Sequence, residues 1–168
     1  MKAAISRKLL TLLIAPAFLF AFTTKAYRSN FSGEWKLNES KSDLGAMAQF
    51  ATKAIKTQQN DNSIAISRTA PSFDGGDATT SETLGFDGKE VESTVFGNSK
   101  RKASAKWSDD GNALTVNYIL NLDFNGQTFD VKGTETWTLS SDGKTLTVQT
   151  NAASPQGDIT AKAVYDKQ

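Results

Sequence analysis

Closely spaced two-residue turn signals constrain this chain more than any other feature of its sequence. Each combines Asn or Asp with Gly or with each other, and they are Asp61-Asn62, Asp87-Gly88, Gly97-Asn98, Asp110-Gly111, Asn125-Gly126 and Asp142-Gly143. Such dipeptides favour the positive φ of tight hairpin bends. The segments between them alternate apolar and polar residues and are rich in Thr, Val, Ile and aromatics. The pattern predicts an antiparallel meander of consecutive hairpins.

The spacing of these signals predicts an all-β fold of about ten strands. We place the strands near residues 31–37, 53–60, 63–69, 78–86, 89–96, 99–107, 113–122, 127–139, 144–150 and 158–166. A flat sheet of this width leaves two exposed edges, so a closed barrel or a rolled sandwich is expected. Closure into an up-and-down, lipocalin-like barrel is the simpler solution. Two segments, 107–116 and 137–148, share the pattern of a Trp, an Asp-Gly turn and Leu-Thr-Val, which indicates one hairpin corner used twice.

Strict alternation along the strands predicts which side chains enter the barrel. The clearest inward sets are Phe31, Gly33, Trp35 and Leu37; Leu114, Val116, Tyr118, Leu120 and Leu122; Phe129, Val131, Gly133, Glu135, Trp137 and Leu139; and Ile159, Ala161, Ala163 and Tyr165.

Two segments depart from the strand pattern. Ser42-Asp43 precedes Leu44, Met47, Ala48 and Ala51, whose spacing predicts one short helix of one or two turns, capped by Ser42 or Asp43, across one end of the sheet. Residues 71–77 contain Pro71 and Gly75-Gly76 and are expected to form a flexible loop.

The N-terminus has the pattern of a secretory signal. Basic residues precede an apolar run over 9–22, and Thr24 and Ala26 fit a small-residue cleavage site. The run is shorter than the roughly 20 residues that a helix needs to span a bilayer. We expect residues 1–26 to be a signal peptide, residues 27–168 to be one barrel domain, and the protein to be periplasmic or secreted without stable membrane insertion. An uncleaved N-terminal anchor is the alternative.

Composition excludes several kinds of chemistry. The chain has no His and no Cys, which removes Ser-His-Asp and Cys-His catalysis and makes zinc, copper and haem sites very unfavourable. Removal of residues 1–26 leaves 15 basic against 18 acidic residues, a balance that does not suit nucleic acid. We therefore expect no enzyme activity, no cofactor and no metal. Glu82 and Glu135 are candidates for an acid/base carboxylate pair, although solvated or ion-paired side chains are the simpler interpretation.

Both ends of the chain resemble bacterial exported lipocalin-like proteins. The segments FSGEWKLN at 31–38 and KSDL at 41–44 are similar to that group's first strand, and SDGKTLTV at 141–148 and AVYDK at 163–167 are similar to its last hairpin. The C-terminal segment also resembles fatty-acid-binding barrels, which share the calycin design and hold the ligand carboxylate with an R-x-Y pair. Tyr165 matches the Tyr, but Ala163 stands in place of the Arg. The resemblance implies a barrel with an interior.

Three charged residues fall on the inner face of the predicted strands. Arg101 alternates with Ala103, Ala105 and Trp107, Glu135 lies between Gly133 and Trp137, and Arg68 follows Ile64 and Ile66. Since an unpaired buried charge is strongly disfavoured, these groups should pair with each other, reach water at a barrel mouth, or hold a charged ligand.

These charges define the predicted ligand site and two hypotheses about function. In the first, the protein binds a small, partly apolar molecule that is either neutral or anionic. The small residues Ala103, Ala105 and Gly133 would leave space for it beside the charges. The predicted ligand-binding residues are Arg68, Arg101, Glu135, Trp107, Tyr118 and Tyr165. In the second, the barrel interior is filled and the protein is a structural or protein-interaction domain of the cell envelope.

Overall fold

The computed structural model describes residues 27–72, 75–124, 126–155 and 157–168. The predicted signal peptide at 1–26, and with it the cleavage site, lies outside the described residues. The strands are β1 Gly33–Leu37, β2 Ala54–Gln59, β3 Ser63–Pro71, β4 Asp77–Gly85, β5 Val91–Thr94, β6 Lys100–Trp107, β7 Ala113–Phe124, β8 Gln127–Leu139, β9 Thr145–Ser154 and β10 Gly157–Lys167. Two 3-10 turns, Glu39–Lys41 and Gly45–Phe50, lie between β1 and β2.

All ten strands belong to one antiparallel sheet. Its order is β4-β3-β2-β1-β10-β9-β8-β7-β6-β5, so every pair of consecutive strands is joined except β4 and β5, and β1 is joined to β10. The sheet therefore curls into a nearly closed barrel whose open seam lies between β4 and β5. The predicted fold class is confirmed. In the part of the chain that the structure describes, no helix is long and apolar enough to cross a membrane.

The interior has two halves that differ in packing. The closed half lies at the end where β1 begins, and its inward side chains are almost completely buried: Phe31, Trp35, Ile64, Leu84, Trp107, Leu114, Trp137 and Leu146. The open half lies at the opposite end, where the hairpin of β7 and β8 turns. Val131 and Ala161 are buried there, but most of its inward side chains are only half-buried: Ala70, Ala78, Leu120, Leu122, Phe129, Ala152 and Ile159.

Aromatic rings fill the closed half. The Phe31 ring stacks on Trp107 at 5.5 Å between centroids and meets Trp137 edge-on at 6.0 Å. Trp35 is 1% exposed, as its alternation predicted, and its indole N–H donates to the carbonyl oxygen of Phe31 at 3.0 Å. These contacts satisfy the polar edge of Trp35 while its ring fills the end of the barrel.

The repeated hairpin corner is confirmed in detail. In the first copy, the Ser108 hydroxyl donates to Asp110 at 2.6 Å and accepts from the Ala113 N–H at 3.0 Å. In the second, Ser140 makes the same two bonds with Asp142 and Thr145, also at 2.6 and 3.0 Å. The Ser-x-Asp-Gly sequence therefore specifies a side-chain-supported turn that pins the register of β6 with β7 and of β8 with β9.

The short helix predicted after β1 is present as the 3-10 turn Gly45–Phe50, but its predicted cap is wrong. The segment forms 3-10 turns, and Leu44, the residue before the second turn, makes no side-chain capping bond. Ser42 instead donates to the carbonyl of Asn38 at 2.7 Å, and Asp43 pairs with Lys162 of β10 through two backbone hydrogen bonds. The Ser42 hydroxyl also accepts from the Val164 N–H of β10 at 2.9 Å, so it is engaged with β10 and does not cap the turn that follows.

Candidate functional site

Four charged side chains meet inside the barrel at the boundary between its two halves. Arg68 comes from β3, Glu82 from β4, Arg101 from β6 and Glu135 from β8. We call this set the charge ring. Each side chain points inward because it occupies the same alternation as its apolar neighbours. Ile64 and Ile66 precede Arg68 on its face, for example, and both are buried.

The charge ring is a closed cycle of alternating charges. Arg68 donates from Nη1 to Glu82 Oε1 and from Nη2 to Glu135 Oε2 at 2.9 Å. Arg101 donates from Nε to Glu82 Oε2 at 3.3 Å and from Nη2 to Glu135 Oε1 at 3.0 Å. Each guanidinium therefore contacts both carboxylates, and each carboxylate contacts both guanidinium groups. The ring holds two positive and two negative charges, so its net charge is zero.

The ring also joins parts of the barrel wall that backbone hydrogen bonds leave apart. The contact between Arg101 and Glu82 links β6 to β4, on the two sides of the open seam, and the contact between Arg68 and Glu135 links β3 to β8. Its side chains are mostly buried, with exposures of 15% for Arg68, 10% for Arg101, 11% for Glu135 and 3% for Glu82. Paired charges of this kind are costly to break singly.

Aromatic side chains support the ring. The indole N–H of Trp137 donates to Glu135 Oε2 at 3.0 Å, and the Arg101 guanidinium lies 4.2 Å from the centroid of the Tyr118 ring. Arg68 lies 5.4 Å from the Trp137 ring centroid. These are distances at which cation–π attraction contributes to the position of a guanidinium.

The electrostatics favour the ionised forms of Glu135 and Arg68. Burial alone would raise the pKa of Glu135, but Arg68 and Arg101 outweigh it and lower that pKa to about 2. Burial would likewise lower the pKa of Arg68, but Glu135 and Glu82 hold it above its usual value. Burial raises the pKa of Tyr118 to about 12 and that of Tyr165 above its usual range, so both phenols keep their proton at neutral pH.

The structure brings together most of the site predicted from the sequence. Arg68, Arg101 and Glu135 meet in the ring, Tyr118 packs on Arg101, and Tyr165 is buried at 3% exposure on β10. Trp107 lies elsewhere. It belongs to the closed half, where Phe31, Phe86 and the Arg28 guanidinium surround its ring.

Glu82 is the ring member that the predicted ligand site lacked. The sequence singled it out only as half of a carboxylate pair with Glu135, and the structure places both carboxylates on the same two arginines. Its alternation with the inward Leu84 was the available signal. With both carboxylates held in ion pairs, the arrangement supports the ion-paired interpretation over acid/base catalysis.

The room that was predicted beside the charges is partly filled. A Cβ added at Gly133 would lie 2.5 Å from the Tyr118 ring and 2.9 Å from the Ala152 side chain, so the absence of a side chain at Gly133 lets Tyr118 cross that position. Ala103 and Ala105 are 1% and 0% exposed and are packed into the core. The accessible part of the interior therefore lies in the open half.

A separate groove of about 350 Å³ lies where β1, the first 3-10 turn and the C-terminus meet. Its lining is Lys36, Leu37, Asn38, Glu39, Ser40, Asp166 and Gln168. Within this lining Asn38 donates to Asp166 at 2.6 Å, and Lys41 pairs with the same carboxylate. These contacts account for the polar groups of the groove as elements that tie the first turn to β10. Among the described residues no cluster of acidic side chains has the composition of a metal site.

The chain is a nearly closed antiparallel β-barrel of ten strands with a charge ring in its interior. Its structure is similar to that of zebrafish ileal bile acid-binding protein in complex with cholic acid, with a TM-score of 0.51 and 18% sequence identity over 82% of this chain and 98% of that chain. No protein-family model and no curated protein sequence matches the chain. At this identity the likeness concerns the fold, and it agrees with the calycin resemblance in the sequence.

Proposed function

We propose that the protein binds a small, largely apolar molecule in the open half of its barrel. The observation that carries this proposal is the half-burial of inward apolar side chains above the charge ring, including Leu120, Leu122, Phe129 and Ile159. On the equivalent face of the closed half, Leu114 and Trp137 are 0% exposed. When a ligand covers apolar surface that faces inward and contacts water, binding is favoured by about 25 cal/mol per Å² of that surface.

The polar end of such a ligand meets the charge ring in this proposal. Tyr118, Arg101 and Arg68 stand at the boundary between the halves, and Tyr118 is half-buried. The zebrafish protein with the similar fold is complexed with cholic acid, an amphiphile with an apolar body, which supports a ligand of comparable size. A binding role for Trp107 remains a prediction from the sequence alone.

We also propose that binding occurs outside the cytoplasm. The support is the signal-like sequence over residues 1–26, with its basic start, apolar run and small-residue exit. In this setting a barrel without cysteine folds without forming disulfide bonds.

A filled, structural barrel is the second candidate function. The observation that favours it is the packing of the closed half, where aromatic rings fill the interior and the inward side chains are buried. The Tyr118 ring lies across Gly133 and extends this packing toward the open half. This candidate predicts that no apolar probe enters the barrel.

Titration of the domain 27–168 with the uncharged dye Nile red tests the proposal. We expect saturable binding at one site, and we expect Ala152→Phe to weaken it at least tenfold because Ala152 faces the open half. Ala153→Phe is the matched control, because Ala153 is the next residue of β9 and is exposed on the outer face. Absence of saturable binding by the folded wild type, or equal losses in both variants, would support the filled barrel.

A further inference from the structure

The charge ring is electrically neutral and has unused hydrogen-bond donors, and both features limit which ligands it can bind. We infer, on the basis of the proposed function, that the ring selects a ligand whose polar group is an uncharged hydrogen-bond acceptor, such as the hydroxyl or carbonyl oxygen of a neutral amphiphile, and disfavours the matching carboxylate.

The carboxylate oxygens of the ring are already engaged. Glu82 accepts from Arg68 and Arg101 through separate oxygens, and Glu135 does the same while also accepting from the Trp137 indole. A cationic or donor-rich ligand therefore finds no carboxylate oxygen without a partner. A donor group of the ligand would therefore have to share an oxygen with a guanidinium or indole N–H that already makes a buried charge-assisted bond.

Donor groups of the ring are left over. Arg101 uses Nε and Nη2, and Arg68 uses Nη1 and Nη2, so the ring does not use Nη1 of Arg101 or Nε of Arg68. Within the described residues, the Tyr118 hydroxyl also makes no hydrogen bond, and its raised pKa keeps it protonated. A guanidinium has five N–H groups and no acceptor. The charge ring and Tyr118 therefore keep hydrogen-bond donors that the ring's own ion pairs do not use.

Charge balance decides between a neutral and an anionic acceptor. The ring is already neutral, so a carboxylate brought beside it adds an uncompensated charge in a mostly buried position. Attraction to the two guanidinium groups is offset by repulsion from Glu82 and Glu135. A ligand carboxylate on the unused guanidinium donors would lie close to Glu82 and Glu135, and its charge would remain uncompensated in a mostly buried position, which is strongly unfavourable. A neutral acceptor takes the free donors without these costs.

Binding of dodecanol and laurate at pH 8 to the domain 27–168, measured by displacement of Nile red, tests the inference. The two ligands share one chain length, and laurate is ionised at this pH. We expect wild type to bind dodecanol at least tenfold more tightly than laurate. Glu82→Gln keeps the side chain's size and leaves the ring with a net positive charge, so we expect laurate to bind at least tenfold more tightly than to wild type, with less than a threefold change for dodecanol.

The matched control is Glu34→Gln, because Glu34 lies on the outer face of β1, where it pairs with Lys56. It changes the net charge of the protein equally and should leave both affinities as in wild type. Glu135→Gln repeats the test from the other carboxylate if Glu82→Gln does not fold, and the wild-type preference stands as evidence without either variant.

Tighter binding of laurate than of dodecanol by wild type would overturn the inference and leave the proposed function in place, since an amphiphile would still be bound. An unchanged ratio of the two affinities in a folded Glu82→Gln protein would also overturn it. Failure of both ligands and of Nile red to bind would instead overturn the proposed function itself.

Discussion

The two halves of the barrel follow one alternation of inward and outward residues, yet only one half is packed. In the closed half the inward positions carry Trp35, Trp107, Trp137 and Phe31, whose rings meet across the interior. In the open half many of the inward positions carry small side chains, such as Ala70, Ala78, Thr80, Gly133 and Ala152. Alternation decides which residues face inward, and the size of the side chains decides whether the interior is filled.

The charge ring lies where these two halves meet. Arg68 follows the buried Ile66 on β3, and Arg101 precedes the buried Ala103 on β6. On β8, Glu135 separates Trp137 of the closed half from Gly133 toward the open half. A buried ion-pair network is not in itself a source of stability, since apolar residues of similar volume often do as well. The ring lies where the proposed ligand site begins, and the ring variants described above test whether it takes part in binding.

The largest effect is expected from Trp35→Ala in the closed half. Trp35 is 1% exposed and loses both its ring contacts and its hydrogen bond to Phe31. Truncation of a buried Trp costs about 3 to 5 kcal/mol of unfolding free energy. Chemical denaturation monitored by far-UV circular dichroism measures this loss. An unchanged midpoint would show that the closed half is not the stabilising core that its burial indicates.

Acid should weaken the charge ring, because protonation of Glu135 removes its ion pairs with Arg68 and Arg101. Its pKa is lowered from 4.5 to about 2 in the folded protein, so its contribution is fully present above pH 4.5 and is lost as the pH falls toward 2. The difference corresponds to roughly 3 kcal/mol at neutral pH. Several exposed carboxylates, including Asp110 and Asp166, also have a lowered pKa and add to the acid sensitivity of the wild type.

The comparison that isolates Glu135 is therefore between wild type and Glu135→Gln, each unfolded by urea at several pH values from 7 down to 2.5. We expect the wild type to lose more stability over this range than the variant, with the gap between them narrowing as the pH falls below 4.5. Parallel curves for the two proteins would mean that the ring does not hold Glu135 in its ionised form.

The sequence alone was sufficient to predict the fold and the inward position of most members of the charge ring. Turn dipeptides and alternation located all ten strands and placed Arg68, Arg101 and Glu135 inside, because both signals are local. Alternation with Leu84 also indicated that Glu82 faces inward. Its pairing with both arginines was not predictable, because it depends on contacts between β3 or β4 and β6 or β8, which are distant in the chain. The pairing of Asp43 with β10 is another long-range contact that the sequence did not predict.

A matched pair of leucines on β7 gives the smallest and most direct test of the difference between the halves. Leu114 and Leu122 are both inward on the same strand, but Leu114 is 0% exposed in the closed half and Leu122 is half-buried in the open half. Leu→Ala in a packed core costs about 2 to 5 kcal/mol, because the lost transfer free energy is increased by the cavity that remains. At Leu122 water already reaches the site, so little cavity term applies and we expect a loss of about 1 kcal/mol. The two variants should thus differ by roughly 2 kcal/mol in urea denaturation. For ligand binding we expect the opposite order. Leu122→Ala should weaken binding more than Leu114→Ala, because only Leu122→Ala removes apolar surface from the proposed ligand site. Equal losses of stability at the two positions would indicate that the open half is packed in solution, and the proposed site would then have no room for a ligand.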